Sequence, residues 1–193
     1  MHRIPEVEIF ERGDKKNNSE ISVPSFEERE SRYRADREEL INKAKLARDT
    51  KAKSYREFHV GCATLAWHPS RGYLTYDEGN AKPEEKVQFG SDLRCAERNA
   101  LDKVKKDHCV RVVAFVIASN KLQPDHNKVM RETLMPCAEC QKMFMENSEL
   151  VDDDTILLAV NDQTIPEDAK EIVHEFQSET TVGCLLGQSG VRK

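Results

Sequence analysis

The chain lacks any apolar run approaching the length of a membrane span. Its first dozen residues, with Arg3, Glu6, Glu8, Glu11 and Arg12, are too charged to form the hydrophobic region of a secretory signal. It also lacks an excess of positive charge. Thirty Lys and Arg stand against 35 Asp and Glu, for a formal net charge of −5. Aromatic residues make up only 6% and form no cluster with basic ones. Binding along a phosphate backbone or a single strand is therefore disfavoured. Histidine is scarce, six in all, and none falls in a ligand-spacing motif. No internal repeat is found, which argues against a solenoid.

What is present is a strongly solvated composition, with 34% charged residues, 38% hydrophobic ones and a mean hydropathy of −0.71. A length of 193 residues suits one sizeable domain with a terminal extension, not two full domains. The default expectation is a cytoplasmic protein without membrane association. Six cysteines in such a setting suggest metal binding or buried thiols before disulfides. Cys62, Cys109 and Cys184 lie in or beside apolar strand-like runs and read as core residues.

Residues 1–24 show no apolar period and contain Gly13-Asp14-Lys15-Lys16-Asn17-Asn18, so they read as a charged arm ahead of a domain at 25–193. Ser25 and Glu28 form a capping-box pattern that opens a helix running to about Thr50. Its apolar stripe is Tyr33, Leu40, Ile41, Ala44 and Ala47. Phe58–Trp67 reads as a strand and Tyr73–Tyr76 as its hairpin partner across Pro69-Ser70-Arg71-Gly72. A helix follows from about Cys95 to Lys106, then a strand over Val110–Ala118 that is apolar enough to be buried on both faces. Asn120–Arg131 is a polar connection. The remainder reads as a helix from Cys137 to about Asn147, a strand over Thr155–Val160, a helix over Pro166–Phe176 and a last strand over Val182–Leu186. This order predicts an α/β fold with one mixed sheet of about five strands covered by helices.

Both remaining cysteine motifs fall at helix starts: Cys95-Ala96-Glu97, and Pro136-Cys137-Ala138-Glu139-Cys140. Three thiolates can occupy three corners of a zinc tetrahedron and leave the fourth open, as hydrolytic zinc sites do. Helix N-termini favour the ionised thiols. In a regular helix Cys95 and Glu97 point to nearly opposite sides. Both reach one metal only if Cys95 precedes the helical backbone, which is a demand the structure must meet. Arg98, three residues after Cys95, is placed to donate hydrogen bonds to the sulfurs and offset their charge. Plainer readings exist: Glu97 as a first-turn acid, Arg98 as a solvated helix arginine, and a closed structural Cys₃His site with His108 or His126 as fourth ligand.

C-A-E-R-N-A followed by M-P-C-A-E-C-Q resembles the signature of the cytidine deaminase family. Ser54–Ala63 (SYREFHVGCA) is similar to that family's strand opening, and the likeness extends over about residues 35–188. The resemblance implies a three-layer α/β/α deaminase fold and one Zn²⁺ per subunit held by Cys95, Cys137 and Cys140. It implies hydrolytic conversion of cytidine or deoxycytidine to the uridine compound with loss of ammonia, in pyrimidine salvage. Glu97 then carries protons between the attacking water, ring N3 and the leaving amine. The backbone N–H of Ala96 and the carbonyl of Pro136 line the edge of the base, and Phe58 flanks its face. The Cys₃ form is similar to the small homotetrameric deaminases, with a dimer as the alternative assembly.

The sugar-binding pattern departs from the family. Asn80 matches its asparagine, but Lys82 stands where a glutamate is expected, leaving Glu84 or Glu85 as substitutes. Lys82 and Lys86 are candidate phosphate contacts or plain solubilising residues. The alternatives are the same chemistry on a nucleoside antibiotic, a nucleotide or a nucleic-acid base, and an inactive zinc-bound scaffold.

Overall fold

The computed structural model describes residues 22–53, 59–81, 94–120, 135–167 and 170–188. The elements follow the order α1 (Phe26–Thr50), β1 (Val60–His68), β2 (Gly72–Gly79), α2 (Ala96–Lys106), β3 (Arg111–Ser119), α3 (Ala138–Glu146), β4 (Ile156–Glu167), β5 (Lys170–Thr181) and α4 (Val182–Gln188).

α1 starts where its capping box places it. The Ser25 hydroxyl accepts from the Glu28 N–H at 3.3 Å, and the Glu28 carboxylate accepts from the Ser25 N–H at 2.8 Å. Each bond satisfies a donor that the helix geometry or the turn before it leaves over. Tyr33, Leu40, Ile41, Ala44 and Ala47 are all buried against the sheet. Ahead of the cap, the Trp67 indole N–H donates to the Ser22 carbonyl at 3.2 Å, laying residues 22–24 across the β1 end.

The five strands form one mixed sheet in the order β2-β1-β3-β4-β5. β1 is antiparallel to β2 and β3, β3 is parallel to β4, and β4 is antiparallel to β5. Alternation along the strands divides the core in two. Ala63, Leu65, Val116, Ala118, Leu158 and Val160 face α1. Cys62, Phe115, Ile117 and Leu157 face the opposite layer, where Leu101, Phe144 and Leu186 come from α2, α3 and α4. The architecture is thus the expected three-layer α/β/α with a mixed five-stranded sheet.

α1 descends very close to the sheet at its C-terminal end. Gly61 and Gly79 are register partners. A Cβ on Gly61 would sit 2.0 Å from the Ala44 carbonyl oxygen, and one on Gly79 2.3 Å from the Ala52 nitrogen. Only glycine admits that approach.

The last quarter of the chain corrects the sequence reading. Pro166–Phe176 was expected as a helix, but Lys170–Thr181 is a strand paired with β4 from Ile156↔Thr181 to Glu167↔Lys170. Val182–Leu186 was expected as a strand and instead lies in helix α4. Val182, Leu185 and Leu186 are buried, a spacing of three and four that one helical face provides. Cys62 and Cys109 are buried as expected, whereas Cys184 lies on the exposed side of α4. Among the described residues no helix is long and apolar enough to cross a membrane. Residues 1–21 of the expected arm over 1–24, and all but Asn120 of the expected connection over Asn120–Arg131, lie outside the described residues.

Candidate metal centre

Cys95 is the N-cap of α2, with φ −59° and ψ 149°, outside the helical region. This meets the geometric demand set by the C-A-E spacing. The sulfur leaves the chain before the helix begins, while Glu97, the second helical residue, points inward. Cys137 occupies the same place on α3, with φ −68° and ψ 168°, and Cys140 follows at the third helical position.

These three sulfurs come together. All lie within 4.8 Å of one another, and Cys95 Sγ is 3.7 Å from Cys137 Sγ. Zinc–sulfur bonds of about 2.3 Å in a tetrahedron set neighbouring sulfurs about 3.8 Å apart, so the set fits zinc as it stands. Cys140 is buried, Cys95 half-buried and Cys137 exposed, so the cluster reaches the surface on one side. Among the described residues no other group of His, Cys, Asp or Glu has this arrangement.

The electrostatics of the protonated cluster are unequal. Cys137 is held far below an ordinary thiol by hydrogen bonds from Cys140 and Cys95, helped by the backbone N–H groups of Cys140 and Glu139 at the α3 start. Cys95 is pushed up chiefly because it donates to Cys137, and Cys140 because it faces both neighbours. Hydrogen bonding within the cluster thus favours ionisation at Cys137 and disfavours it at Cys95 and Cys140. A dication among them would displace the thiol protons, since its charge exceeds what neighbouring N–H groups supply.

Glu97 is only 5% exposed. Burial pushes its carboxyl up to about 7, the Cys137 charge adds to the shift, and hydrogen bonds from its own N–H and from Cys140 oppose it. A buried carboxyl touching one of the clustered cysteines is unlike the solvated first-turn acid of the plain reading. Beneath it, Cys62 on β1 is fully buried, with its Sγ 3.6 Å from Thr64 Oγ1. Burial raises the Cys62 thiol, and the nearby Glu97 charge raises it further.

The other expected residues are distributed as follows. Ala96 is the fully buried first residue of α2. Its N–H, as for any residue at that position, has no partner within the helix. Arg98 is half-buried in the same turn. Pro136 is buried, and its carbonyl accepts from Gln141 Nε2 at 2.9 Å. Asn80 holds the end of β2: its Oδ1 accepts from the Val60 N–H at 3.0 Å and its carbonyl from the Lys53 N–H at 2.8 Å. Its side-chain oxygen is thus committed to the scaffold. Phe58, Lys82, Glu84, Glu85, Lys86 and His126 lie outside the described residues. His108 does not serve as a fourth ligand. It sits past the far end of α2 at φ 57°, about 16 Å along the axis from the Cys95 end. Sequence reasoning passed over Gln141 and Asn99, although both are amides four positions after a cysteine that starts a helix.

No curated protein matches the chain. Among solved structures, the cytidine deaminase from Burkholderia pseudomallei aligns over 77% of this chain and 94% of its own, with 20% identity and a TM-score of 0.52. The cytidine deaminase from Mycobacterium leprae aligns over 78% of this chain and 97% of its own, with 20% identity and a TM-score of 0.47. At such identity the first likeness speaks for the fold. The family evidence is separate: the model of the cytidine and deoxycytidylate deaminase zinc-binding region matches residues 34–151, a span that contains Cys95, Glu97, Cys137 and Cys140. With more than half its length inside that match, the chain belongs to the cytidine and deoxycytidylate deaminase family.

Proposed function

We propose that the protein is a hydrolytic deaminase of cytidine or deoxycytidine, with one zinc per subunit held by Cys95, Cys137 and Cys140. The observation that supports this most is the buried Glu97 carboxyl beside three sulfurs already at zinc spacing. A structural zinc knot has no use for a carboxylate buried against its ligands.

When bound, zinc supplies a Lewis acid that makes a water acidic near neutral pH. Glu97 is the group that moves protons. It takes one from the attacking water and delivers one to ring N3 as the oxygen bonds to C4. It then passes the second proton from that oxygen to the exocyclic amine, which leaves as ammonia while the C4 carbonyl forms. The sheltered position of Glu97 on the inward face of α2 keeps bulk water from competing for these protons. In this reading Ala96 N–H and the Pro136 carbonyl contact the edge of the base. Arg98 tempers the negative charge of the sulfurs. Phe58 flanks the ring, and Glu84 contacts the sugar together with the amide nitrogen of Asn80, whose oxygen holds the Val60 N–H. A homotetramer or dimer in the cytoplasm, acting in pyrimidine salvage, completes the proposal.

The test is a parallel assay of cytidine, deoxycytidine, their 5′-monophosphates and a cytosine-containing oligonucleotide, following ultraviolet absorbance and ammonia. Turnover of the nucleosides is expected. Turnover of the monophosphates alone would move the substrate from nucleoside to nucleotide. Zinc-loaded protein with no turnover on any of them would favour the scaffold reading.

A further inference from the structure

Cys137 starts α3 without the side-chain cap bond of an ordinary N-cap residue, and its sulfur draws only on the nearby Glu139 and Cys140 N–H groups. A Ser, Thr or Asp in that place accepts from an exposed N–H and fixes the chain as it enters the helix. A cysteine sulfur is a weak acceptor, so a firmer hold on this backbone has to come from other groups.

It comes from Gln141. The Gln141 backbone N–H donates to the Cys137 carbonyl at 2.9 Å. Its side-chain Nε2 donates to the Pro136 carbonyl, also at 2.9 Å. These two carbonyls belong to the peptide units on either side of the Cys137 Cα. One half-buried residue therefore holds both planes that set φ and ψ at Cys137, and so sets where its sulfur lies. Gln141 also directly follows Cys140 in sequence, so it is anchored to a second sulfur of the cluster. α2 carries a related device. The Asn99 N–H donates to the Cys95 carbonyl at 3.1 Å, and Asn99 Nδ2 donates to the Gly79 carbonyl at 2.9 Å, tying the helix start to β2. The difference is that Asn99 fastens its helix to the sheet, whereas Gln141 fastens the ligand's own backbone.

We propose that Gln141 is a positioning residue of the metal centre, clasping the Pro136–Cys137–Ala138 backbone so that the exposed Cys137 sulfur stays within reach of Cys95 and Cys140. The inference rests on the reading that these cysteines hold zinc, but not on the deaminase reaction. Gln141 acts through the backbone and touches neither water nor base.

Two variants test it. Gln141→Met keeps length and helix propensity while removing the donor. Gln141→Glu keeps the shape but turns an acceptor toward the Pro136 carbonyl. Zinc affinity is measured by chelator competition, the thiolate-to-metal absorption bands on cobalt-loaded protein, and the thermal midpoint on metal-free protein. Both variants should hold zinc about 10- to 100-fold more weakly than the parent, the range typical of lost outer contacts to a ligand. Their cobalt bands should weaken, with metal-free midpoints close to the parent. The exposed neighbour Lys142, changed to Ala, should leave all three readings unchanged. Gln141→Met and Gln141→Glu both retaining affinity within about twofold would overturn the inference, as would a loss mirrored fully in metal-free stability. Weakened zinc binding in the variants supports it even where the parent shows no turnover, a result that would sink the deaminase reading alone.

Discussion

Two helices in this molecule open with the same three residues, Cys95-Ala96-Glu97 on α2 and Cys137-Ala138-Glu139 on α3, and their glutamates meet opposite fates. Glu97 is buried and Glu139 is exposed. Local sequence does not separate them; the stripe each helix turns to the core does. On α2 the buried positions are 96, 97, 100, 101 and 104. On α3 they are 140, 143 and 144, with Asn147 buried just beyond. Apart from the buried Ala96, the α3 stripe lies one residue later relative to its cysteine N-cap, so the inward position falls on Cys140 instead of Glu139. α2 therefore delivers one sulfur and one carboxyl, whereas α3 delivers two sulfurs. A shift of one position in a 3.6-residue period decides which helix buries a carboxyl and which a second sulfur.

The largest effect expected from breaking this asymmetry is on turnover. Glu97→Gln should lower deamination by at least about 100-fold, in the range of a lost general acid–base group, with zinc retained. Glu139→Gln should stay within about twofold. Equal losses in both would mean that burial does not identify the acid. Next comes metal binding. Cys95→Ser, Cys137→Ser and Cys140→Ser should each weaken zinc by more than the roughly 10- to 100-fold of an outer contact, as chelator competition would read. A silent Cys137→Ser would remove α3 from one corner of the site.

Smaller effects separate the site from its frame. Gly61→Ala drives a methyl to 2.0 Å from the Ala44 carbonyl at the end of the sheet beside α2. It should lower stability by about 1–3 kcal/mol on chemical denaturation and loosen α1 from β1. Ser25→Ala removes the α1 cap at the far end, costing about 1 kcal/mol while leaving zinc affinity untouched. A mild acid effect should come from the ion pairs joining α1 to the β4–β5 pair. Lys45 lies 3.1 Å from Asp162 and is also paired with Glu175, and Arg48 lies 2.9 Å from Asp162. Burial opposes the shift at Asp162, but hydrogen bonds from Arg48 and Lys45 hold its carboxyl below the ordinary range, and Lys45 does the same for Glu175. Depressed carboxyls stabilise the fold above their unfolded pKa, and that contribution disappears as pH falls through their folded values. The thermal midpoint of Asp162→Asn should therefore fall less than that of the parent on going from about pH 6 to pH 3.

Much of this was legible in the residues. The α1 capping box, its five-residue stripe and the apolar run of β3 fix local structure strongly enough to survive folding. The cysteine spacing announced the cluster, and the need for a non-helical Cys95 followed from the C-A-E offset alone. β5 was not legible. Residues 166–176 carry three Glu with Ala and Lys, which favour a helix, and pairing with β4 overrides that preference. α4 was misread because a five-residue apolar run has no decisive period, although the spacing of Val182, Leu185 and Leu186 held the clue. Burial of Glu97 required knowing which side of α2 meets β1. The role of Gln141 required the hydrogen bonds themselves, since amides at helix positions are usually solvated.

The most direct test is X-ray absorption at the zinc edge on loaded wild-type protein. Three sulfurs at about 2.3 Å and one oxygen-like scatterer at about 2.0–2.2 Å are predicted. A fourth sulfur, an imidazole ring in the shell, or zinc bound by fewer than three sulfurs would contradict the account.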